Sequence, residues 1–368
     1  MQIQTTHRPK VGTLALAIGV LVAFGNVHAS PKSSTFDTGV GTGARMTPPL
    51  RLNPRYREIA VPTEAPRFSE RLDTALDFGH VWCLPVWDEE NLIISTESNG
   101  EIFAAPFDLN HRQLDTAIKI AGREDSIERE GIADHKHIFQ DDHHYITFSI
   151  SGGGQGGSLY LLRLNRDLER IRLVNVVQDA PPTNDMFMTG DGETVSVGKF
   201  LPGFGHEMYV FDADLNFLGS QSIGGGPERH ANGAAALYHD SLYHVVAPRT
   251  LAPGKNDWVY HMAYDSEWRI TGPQDVLLHD PGMITLITGL SREPNSDTFL
   301  VHYARTPDDG GGPVYRSVFD RYWNELETVN AIDGSFMRPH SIVVDDLLFV
   351  GYEGGNFSLR LASFDIRN

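Results

Sequence analysis

Several features that commonly define a protein class are scarce or missing in this chain. It has one cysteine, Cys83, in 368 residues, so an internal disulfide is excluded. Its 30 lysine and arginine residues are outnumbered by 48 aspartate and glutamate residues, which gives a formal net charge of −18. A chain this acidic has no electrostatic basis for binding nucleic acid or an anionic membrane surface. We therefore expect no nucleic-acid partner.

Long apolar runs are limited to the N-terminus. Val11–Gly25 is the longest, and at 15 residues it is short for a membrane-spanning helix. It follows the cations Arg8 and Lys10 and precedes Val27-His28-Ala29, a small-residue cleavage pattern. We predict a signal peptide over residues 1–29, no membrane insertion, and a secreted or periplasmic protein. An uncleaved membrane anchor is the alternative.

Helical periodicity is also missing, and a strand-rich repeat takes its place. It begins after residues 30–55, a Ser-, Gly-, Thr- and Pro-rich stretch that we predict to be a flexible leader. The clearest copy, His137–Ser149, joins two apolar strands through an acidic turn, and a Gly-rich hairpin leads on to a third strand at Leu159–Asn165. Six copies start roughly 50 residues apart, a spacing typical of four-stranded blades. The predicted first strands are Gly79–Trp87, Asp134–Gln140, Asp185–Thr189, Ala231–Tyr238, Met283–Gly289 and His340–Val344.

Each third strand ends at an aspartate or asparagine that opens a polar turn, as these side chains favour. Through these strand and turn phrases the chain resembles the β-propeller superfamily over residues 56–368. The resemblance implies an all-β fold in one domain with six four-stranded blades, or five if Met283–Tyr303 is an insertion. The last blade lacks a strand, and we predict that Tyr56–Val61 supplies it and closes the ring. The turn residues are Asp108, Asn165, Asp212, Asp265, Asp320 and Asp365.

One blade also resembles a narrower group of propellers. The second blade, Asp134–Ser149, is similar to blade openings in five-bladed glycosidases of the arabinanase and invertase kind. Those enzymes place Asp, Asp and Glu at the starts of the first three inner strands, and Asp134 and Asp185 match two of these positions. The first start carries His80 instead, and no Glu occupies the third start. Glycoside hydrolysis needs two carboxyl groups with distinct roles, so this chemistry is a lesser alternative.

The starts of first strands and the ends of second strands lie on one face of a propeller. At or near the first-strand starts this chain places imidazoles where small or apolar residues would serve. Neutral imidazole is a common metal ligand, so we predict a divalent metal of unknown identity at this mouth. The alternative is that each histidine only hydrogen-bonds a neighbouring blade. The predicted ligands are His80, His137, His230 and His340.

Carboxylates and arginines complete the predicted site. Asp134 and Asp185 are the candidate catalytic residues, as a base or as orienting groups. Because strand side chains alternate, either His135 and His137 or Asp134 and Lys136 share a side. Two cations at second-strand ends, Arg249 and Arg305, are predicted to hold an anionic group on the ligand, or else to form salt bridges with nearby carboxylates.

Two functions follow from this pattern. The first is a metal-dependent hydrolase or lyase acting on a small anionic or glycan-like substrate. The second is a non-catalytic binding or scaffold propeller whose mouth engages a protein or a polysaccharide.

Overall fold

The computed structural model describes a ring of β-sheets. The described residues are 69–79, 81–126, 131–150, 157–180, 186–201, 205–224, 229–230, 233–250, 258–272, 275–279, 284–293, 296–306, 312–354 and 358–366. The predicted signal peptide, the predicted leader and the predicted closing strand at Tyr56–Val61 lie outside this part of the chain. Across the described residues the only helical element is a 3₁₀ turn at Arg123–Asp125, and no helix there is long and apolar enough to cross a membrane.

The first described strand is β1 (Ser69–Ala75), and three separate four-stranded antiparallel sheets follow it. They form blades 1, 2 and 3, and in each blade the strands pair in chain order. Blade 1 consists of β2 (Val81–Trp87), β3 (Leu92–Ser98), β4 (Glu101–Phe107) and β5 (Ile118–Ala121). Blade 2 consists of β6 (Ile132–Gln140), β7 (His143–Ile150), β8 (Gly157–Asn165) and β9 (Arg170–Ala180). Blade 3 consists of β10 (Met186–Gly190), β11 (Thr194–Leu201), β12 (Gly205–Asp212) and β13 (Phe217–Ile223).

Blades 4 to 6 follow the same plan with two variations. In blade 4 the first strand is split in two, and both pieces pair with the second strand. Blade 4 consists of β14 (Arg229–His230), β15 (Ala235–His239), β16 (Leu242–Thr250), β17 (Trp258–Tyr264) and β18 (Asp275–His279). The remaining strands are β19 (Ile284–Arg292), β20 (Phe299–Thr306), β21 (Gly312–Phe319), β22 (Glu325–Val344), β23 (Leu347–Glu353) and β24 (Leu359–Asp365).

Strand β22 belongs to two blades. Its N-terminal part pairs with β21 and completes blade 5, and its C-terminal part pairs with β23 and begins blade 6. The fifth repeat is therefore a full blade, so the prediction of six four-stranded blades is confirmed and the five-bladed alternative is wrong.

Blade 6 takes its outermost strand from the N-terminal side of the chain. Strand β1 pairs antiparallel with β24, so blade 6 runs from β22 through β23 and β24 to β1. The pairing is reinforced by Asp73 of β1, whose carboxylate accepts hydrogen bonds from Arg360 Nη2 at 2.9 Å and Tyr352 Oη at 3.0 Å. The strand that pairs here starts eight residues beyond Tyr56–Val61.

The polar turns after the third strands have the predicted role and one further feature. In the turn of blade 4, Asp265 Oδ1 accepts hydrogen bonds from the backbone N–H groups of Glu267 and Arg269. Three positions after the Asp or Asn, five blades place a buried residue with a left-handed backbone, with φ between 58° and 63°. Each packs against the preceding blade: Trp268 of blade 4, for example, stacks on Tyr243 of its own blade and donates Nε1–H to Ser196 Oγ of blade 3 at 3.0 Å. These residues are His111, Leu168, Leu215, Trp268 and Trp323.

The core consists of apolar layers between neighbouring blades. Cys83 lies fully buried in the layer between blades 1 and 6, and burial raises the pKa of its thiol to about 12. The two blades approach so closely here that a Cβ on Gly351 would lie 2.4 Å from the carbonyl oxygen of Cys83. The only cysteine is thus an unreactive packing residue, as its apolar strand indicates.

Candidate functional site

Irregular pairing occurs in four first strands. The pairing register with the following strand shifts near the start of the first strand in β2, β6 and β22, and in the middle of β19. An irregularity of this kind, such as a β-bulge, twists the strand and re-aims its side chains, and is often found beside active sites. The residues at these shifts are Val81/Leu84, Ile132/Asp134, Ile287/Gly289 and Met337/His340.

Trp82 lies within the irregular segment of blade 1 and has a left-handed backbone, with φ of 58°. This conformation is costly for a bulky residue, so its neighbours must hold it in place. Trp82 Nε1–H donates to the carbonyl oxygen of Ala133 in blade 2 at 3.1 Å, and its backbone N–H points to Glu353 Oε1 of blade 6 at 3.4 Å. Blade 2 therefore holds the indole of Trp82, and blade 6 holds its backbone.

Lys136 and Asp134 share one side of β6, as the strand alternation predicts. Lys136 Nζ lies 3.2 Å from Asp134 Oδ1, and the Asp134 side chain is completely buried. The same ammonium lies 5.0 Å from the ring centroid of Trp82, within cation–π range. Lys136 therefore joins a buried carboxylate of blade 2 to the aromatic face of blade 1.

His340 adds an imidazole from blade 6. Its ring centroid lies 5.9 Å from that of Trp82. Burial, with the charge of Lys136 and the nearby His135 ring, holds the pKa of His340 well below its usual range, so the imidazole is neutral. Its Nε2 atom is buried without a hydrogen-bond partner. We call Trp82, Asp134, Lys136 and His340 the axial cluster, because they come from the first strands of three blades that line the channel.

The opposite side of β6 carries a chain of buried hydrogen bonds between blades 1 and 2. Ser95 Oγ lies 3.1 Å from His135 Nε2 and 3.1 Å from His137 Nδ1. His137 Nε2 in turn lies 3.0 Å from His144 Nδ1. All four side chains are buried. We call His135, Ser95, His137 and His144 the histidine relay.

The relay has two consistent arrangements of its protons. Each neutral imidazole carries one N–H, and the Ser95 hydroxyl both donates and accepts, so every bond in the chain can point in one direction or in the other. Burial is the main cause that lowers the pKa of His135 to about 3 and that of His144 to about 4. The outer nitrogens, His135 Nδ1 and His144 Nε2, are buried without partners. The relay is thus a neutral chain whose first member, His135, is close enough to His340 to affect its pKa.

Charged residues occupy the second-strand ends at the same face, as the sequence indicates. In blades 1 and 6 these are Glu97, which pairs with Val81, and Glu353, which pairs with Met337. In blades 3 to 5 they are cations, each paired with a residue near a first-strand start. These pairs are Lys199 with Met186, Arg249 with His230 and Arg305 with Thr285.

The predicted site residues are distributed unevenly over the described chain. Asp134 and His340 belong to the axial cluster, whereas His137 belongs to the histidine relay, where both its ring nitrogens are engaged. His80 and Asp185 lie outside the described residues. For His230, Arg249 and Arg305 the structure gives the backbone pairing alone. Among the residues that the structure describes, no group of three or more His, Cys, Asp or Glu side chains is placed to hold a metal ion.

Sequence reasoning missed three participants. Ser95 connects two histidines, but a serine within an apolar strand carries no motif. Trp82 resembles an ordinary packing residue until its backbone conformation is known. His144 follows an acidic turn, and yet its side chain is completely buried. The signal for His144 was its spacing from His137. His144 pairs with Phe139, two residues from His137 on the same side of β6, so the two imidazoles meet diagonally across the first hairpin of blade 2.

Known structures resemble this chain only at low sequence identity and with TM-scores below 0.5. No family model matches the chain, and no curated protein matches it. Among solved structures, "Structure of Dos1 propeller" is 14% identical, with a TM-score of 0.43 over 77% of this chain and 68% of that chain. An Aleuria aurantia lectin mutant in complex with Fucalpha1-6GlcNAc is 12% identical, with a TM-score of 0.48 over 76% and 91%. A GH43 endo-arabinanase from Bacillus licheniformis is 12% identical, with a TM-score of 0.42 over 78% and 96%. The six-bladed β-propeller follows from the pairing of the chain's own strands.

Proposed function

We propose that this protein is an exported propeller that binds a small anionic or glycan-like ligand at the axial cluster. The observation that carries the proposal is the placement of Trp82. Its strained backbone and its hydrogen bond to Ala133 hold an indole beside an ammonium and a neutral imidazole at the channel mouth. Ligand sites combine an apolar or aromatic wall with a few placed polar groups in this way.

The charges around the mouth favour an anionic ligand. Lys136, with a side-chain exposure of 19%, is open to solvent although its partner Asp134 is buried. At the second-strand ends of blades 4 and 5 the pairing places Arg249 and Arg305. With Lys136, these arginines are the cations that would contact an anionic group of the ligand on a chain whose net charge is −18.

Binding of acidic and neutral oligosaccharides tests the proposal. The mature protein is titrated by calorimetry with oligogalacturonate and, separately, with a neutral arabinan oligomer of equal length. We expect binding of the acidic oligomer and a loss of at least about tenfold in affinity for Lys136→Met, since a charged hydrogen bond contributes about 1.5–3 kcal/mol. Lys119→Met is the matched control, because Lys119 pairs with Glu101 on the outer part of blade 1. Absence of binding to both oligomers, or equal affinity for both variants and the parent protein, would contradict the proposal.

A second candidate is a metal-dependent hydrolase or lyase acting at the same mouth. It is favoured by one observation, the buried and unpartnered Nε2 atom of the neutral His340 imidazole, which has the protonation state of a metal ligand. His340 would then provide one ligand, and Asp134 would orient groups around the ion. Metal analysis of the purified protein is the test: we expect stoichiometric divalent metal that His340→Ala loses and His239→Ala keeps. A metal content that is zero, or that is equal in both variants, would exclude this candidate.

Binding of the acidic oligomer without turnover would assign the protein to the non-catalytic class.

A further inference from the structure

Lys199 is a buried lysine of blade 3, a blade that contributes no residue to the axial cluster. It lies near the end of β11, and the residue has only 2% of its surface exposed. In the pairing register it sits between Met186 of β10 and Glu207 of β12. Met186 is apolar and also buried, and the Glu207 carboxylate accepts a hydrogen bond from Ser222 Oγ at 2.5 Å. Within the described part of the chain Lys199 has no hydrogen-bond or ion-pair partner.

An ammonium in these surroundings is poorly stabilised. Removing a charge from water without a counter-ion is unfavourable, and a buried lysine responds by losing its proton more easily. The neutral amine has a free lone pair and is a nucleophile. Other lysines of the described chain are compensated: Lys119 pairs with Glu101 and Glu124, and Lys136 pairs with Asp134.

We propose that Lys199 is a covalent binding site for a small aldehyde or ketone. Its nitrogen attacks the carbonyl carbon, a C–N bond forms, and the carbonyl oxygen leaves as water after two proton transfers. The product is an imine, and no oxidant or reductant is consumed. Hydrolysis by water reverses the reaction.

The pKa of Lys199 agrees with this role, since burial lowers it from 10.5 to about 8. The charged residue paired with it in register, Glu207, is turned to Ser222 and is not among the causes of the shift. At pH 7.5 the neutral fraction of an amine with a pKa of 8 exceeds that of an ordinary lysine by more than a hundredfold. A lower pKa also lowers intrinsic nucleophilicity, so we expect a net rate advantage on the order of tenfold.

Reductive trapping tests the proposal. The mature protein is exposed briefly to glycolaldehyde with cyanoborohydride at pH 6.5, 7.5 and 8.5, and peptide mass spectrometry gives the modification rate of each lysine. We expect Lys199 to react at least about tenfold faster than Lys119 at pH 7.5, with a pH profile whose midpoint lies near 8. A Lys199 rate equal to or below that of Lys119 would overturn the proposal.

Variants separate reactivity from folding and from the proposed function. Lys199→Arg keeps a cation but has no primary amine, and we expect it to lose the fast-reacting site, whereas Lys119→Met keeps it. If Lys199→Arg does not fold, the site-resolved rates of the unsubstituted protein decide the question alone. Oligogalacturonate binding is measured on the same samples. Binding without fast trapping contradicts only this inference, and fast trapping without binding contradicts only the axial-cluster proposal.

Discussion

Two blade interfaces each contain a pair of hydrogen-bonded histidines, and the surroundings of the two pairs differ. Between blades 1 and 2, His137 and His144 are 3.0 Å apart, and Ser95 extends the chain of hydrogen bonds towards His135 and the axial cluster. Between blades 4 and 5, His244 and His261 are also 3.0 Å apart, but Trp323 covers them, with its ring centroid 3.7 Å from that of His261.

The difference shows that the neighbours of a buried histidine pair decide its role. A hydroxyl next to the first pair continues the polar path towards the channel. An aromatic stack next to the second pair, in which Phe299 lies 4.5 Å from Trp323, seals it in the core. We therefore expect the interface of blades 4 and 5 to contribute mainly to stability, and that of blades 1 and 2 to support the mouth.

The largest effect is expected from removing the aromatic cover. Trp323→Ala deletes a side chain that is 3% exposed and opens a cavity above His244 and His261. We expect the free energy of unfolding to fall by about 3–5 kcal/mol, measured by urea denaturation. The adjacent Tyr322→Ala is the control, because Tyr322 is 70% exposed, and its effect should stay within about 0.5 kcal/mol. If Trp323→Ala and Tyr322→Ala changed the free energy of unfolding equally, the aromatic cover would not be what stabilises the interface of blades 4 and 5.

Breaking the histidine relay should cost less. Ser95→Ala leaves His135 Nε2 and His137 Nδ1 without their shared partner inside the core. Ser95 makes two of these hydrogen bonds, and each contributes about 0.5–1.5 kcal/mol, so we expect the free energy of unfolding to fall by about 1–3 kcal/mol. We also expect weaker oligogalacturonate binding, because His135 lies beside His340. Ser98→Ala, near the end of the same strand, is the control. A Ser95→Ala protein with unchanged stability would show that the Ser95 hydroxyl does not bridge His135 and His137.

Acid should destabilise both interfaces through their neutral histidines. Burial lowers the pKa of His135 to about 3 and that of His244 to about 4, whereas the unfolded chain binds a proton near pH 6.5. Between pH 6.5 and about 4 the unfolded state therefore binds more protons, and stability falls as the pH falls. In that window, each such histidine lowers the free energy of unfolding by about 1.4 kcal/mol for every pH unit of acidification.

Urea denaturation at pH 7, 6 and 5 measures this slope. His135→Gln and His244→Gln should each reduce the slope of unfolding free energy against pH by the amount that one bound proton contributes. Neither substitution should change the slope above pH 7. A slope that neither substitution alters would mean that these imidazoles take up their protons in the folded state as well.

The smallest effect on stability is expected at Trp82. Trp82→Phe keeps the aromatic ring and loses the hydrogen bond to the carbonyl oxygen of Ala133, worth about 0.5–1.5 kcal/mol. The ring then loses its anchor to blade 2, so oligogalacturonate affinity should fall more than stability does. A variant that loses stability but binds normally would identify Trp82 as a packing residue, as Trp323 is.

The fold was more predictable than the site. Six aspartate or asparagine residues in matching positions indicated six blades, because the side chains of both residue types favour a turn at the end of a strand. The alternation rule also paired His135 with His137 and Asp134 with Lys136, as the structure shows. By contrast, strand β22 runs through two blades without a break, although Asp333-Gly334 and Pro339 within Glu325–Val344 are residues that favour a turn.

Local preference and period-two alternation act over a few residues, and they were enough for this sequence to determine its repeats, its turns and the side of β6 on which each side chain lies. Contacts between blades depend on residues far apart in the chain. Ring closure by Ser69–Ala75, the bond between Ser95 and His137, and the approach of Trp82 to His340 arise when separate sheets pack around one axis. Only the tertiary structure could therefore decide which histidines form a buried relay, which one faces the mouth, and which lysine is buried with no counter-ion among the described residues.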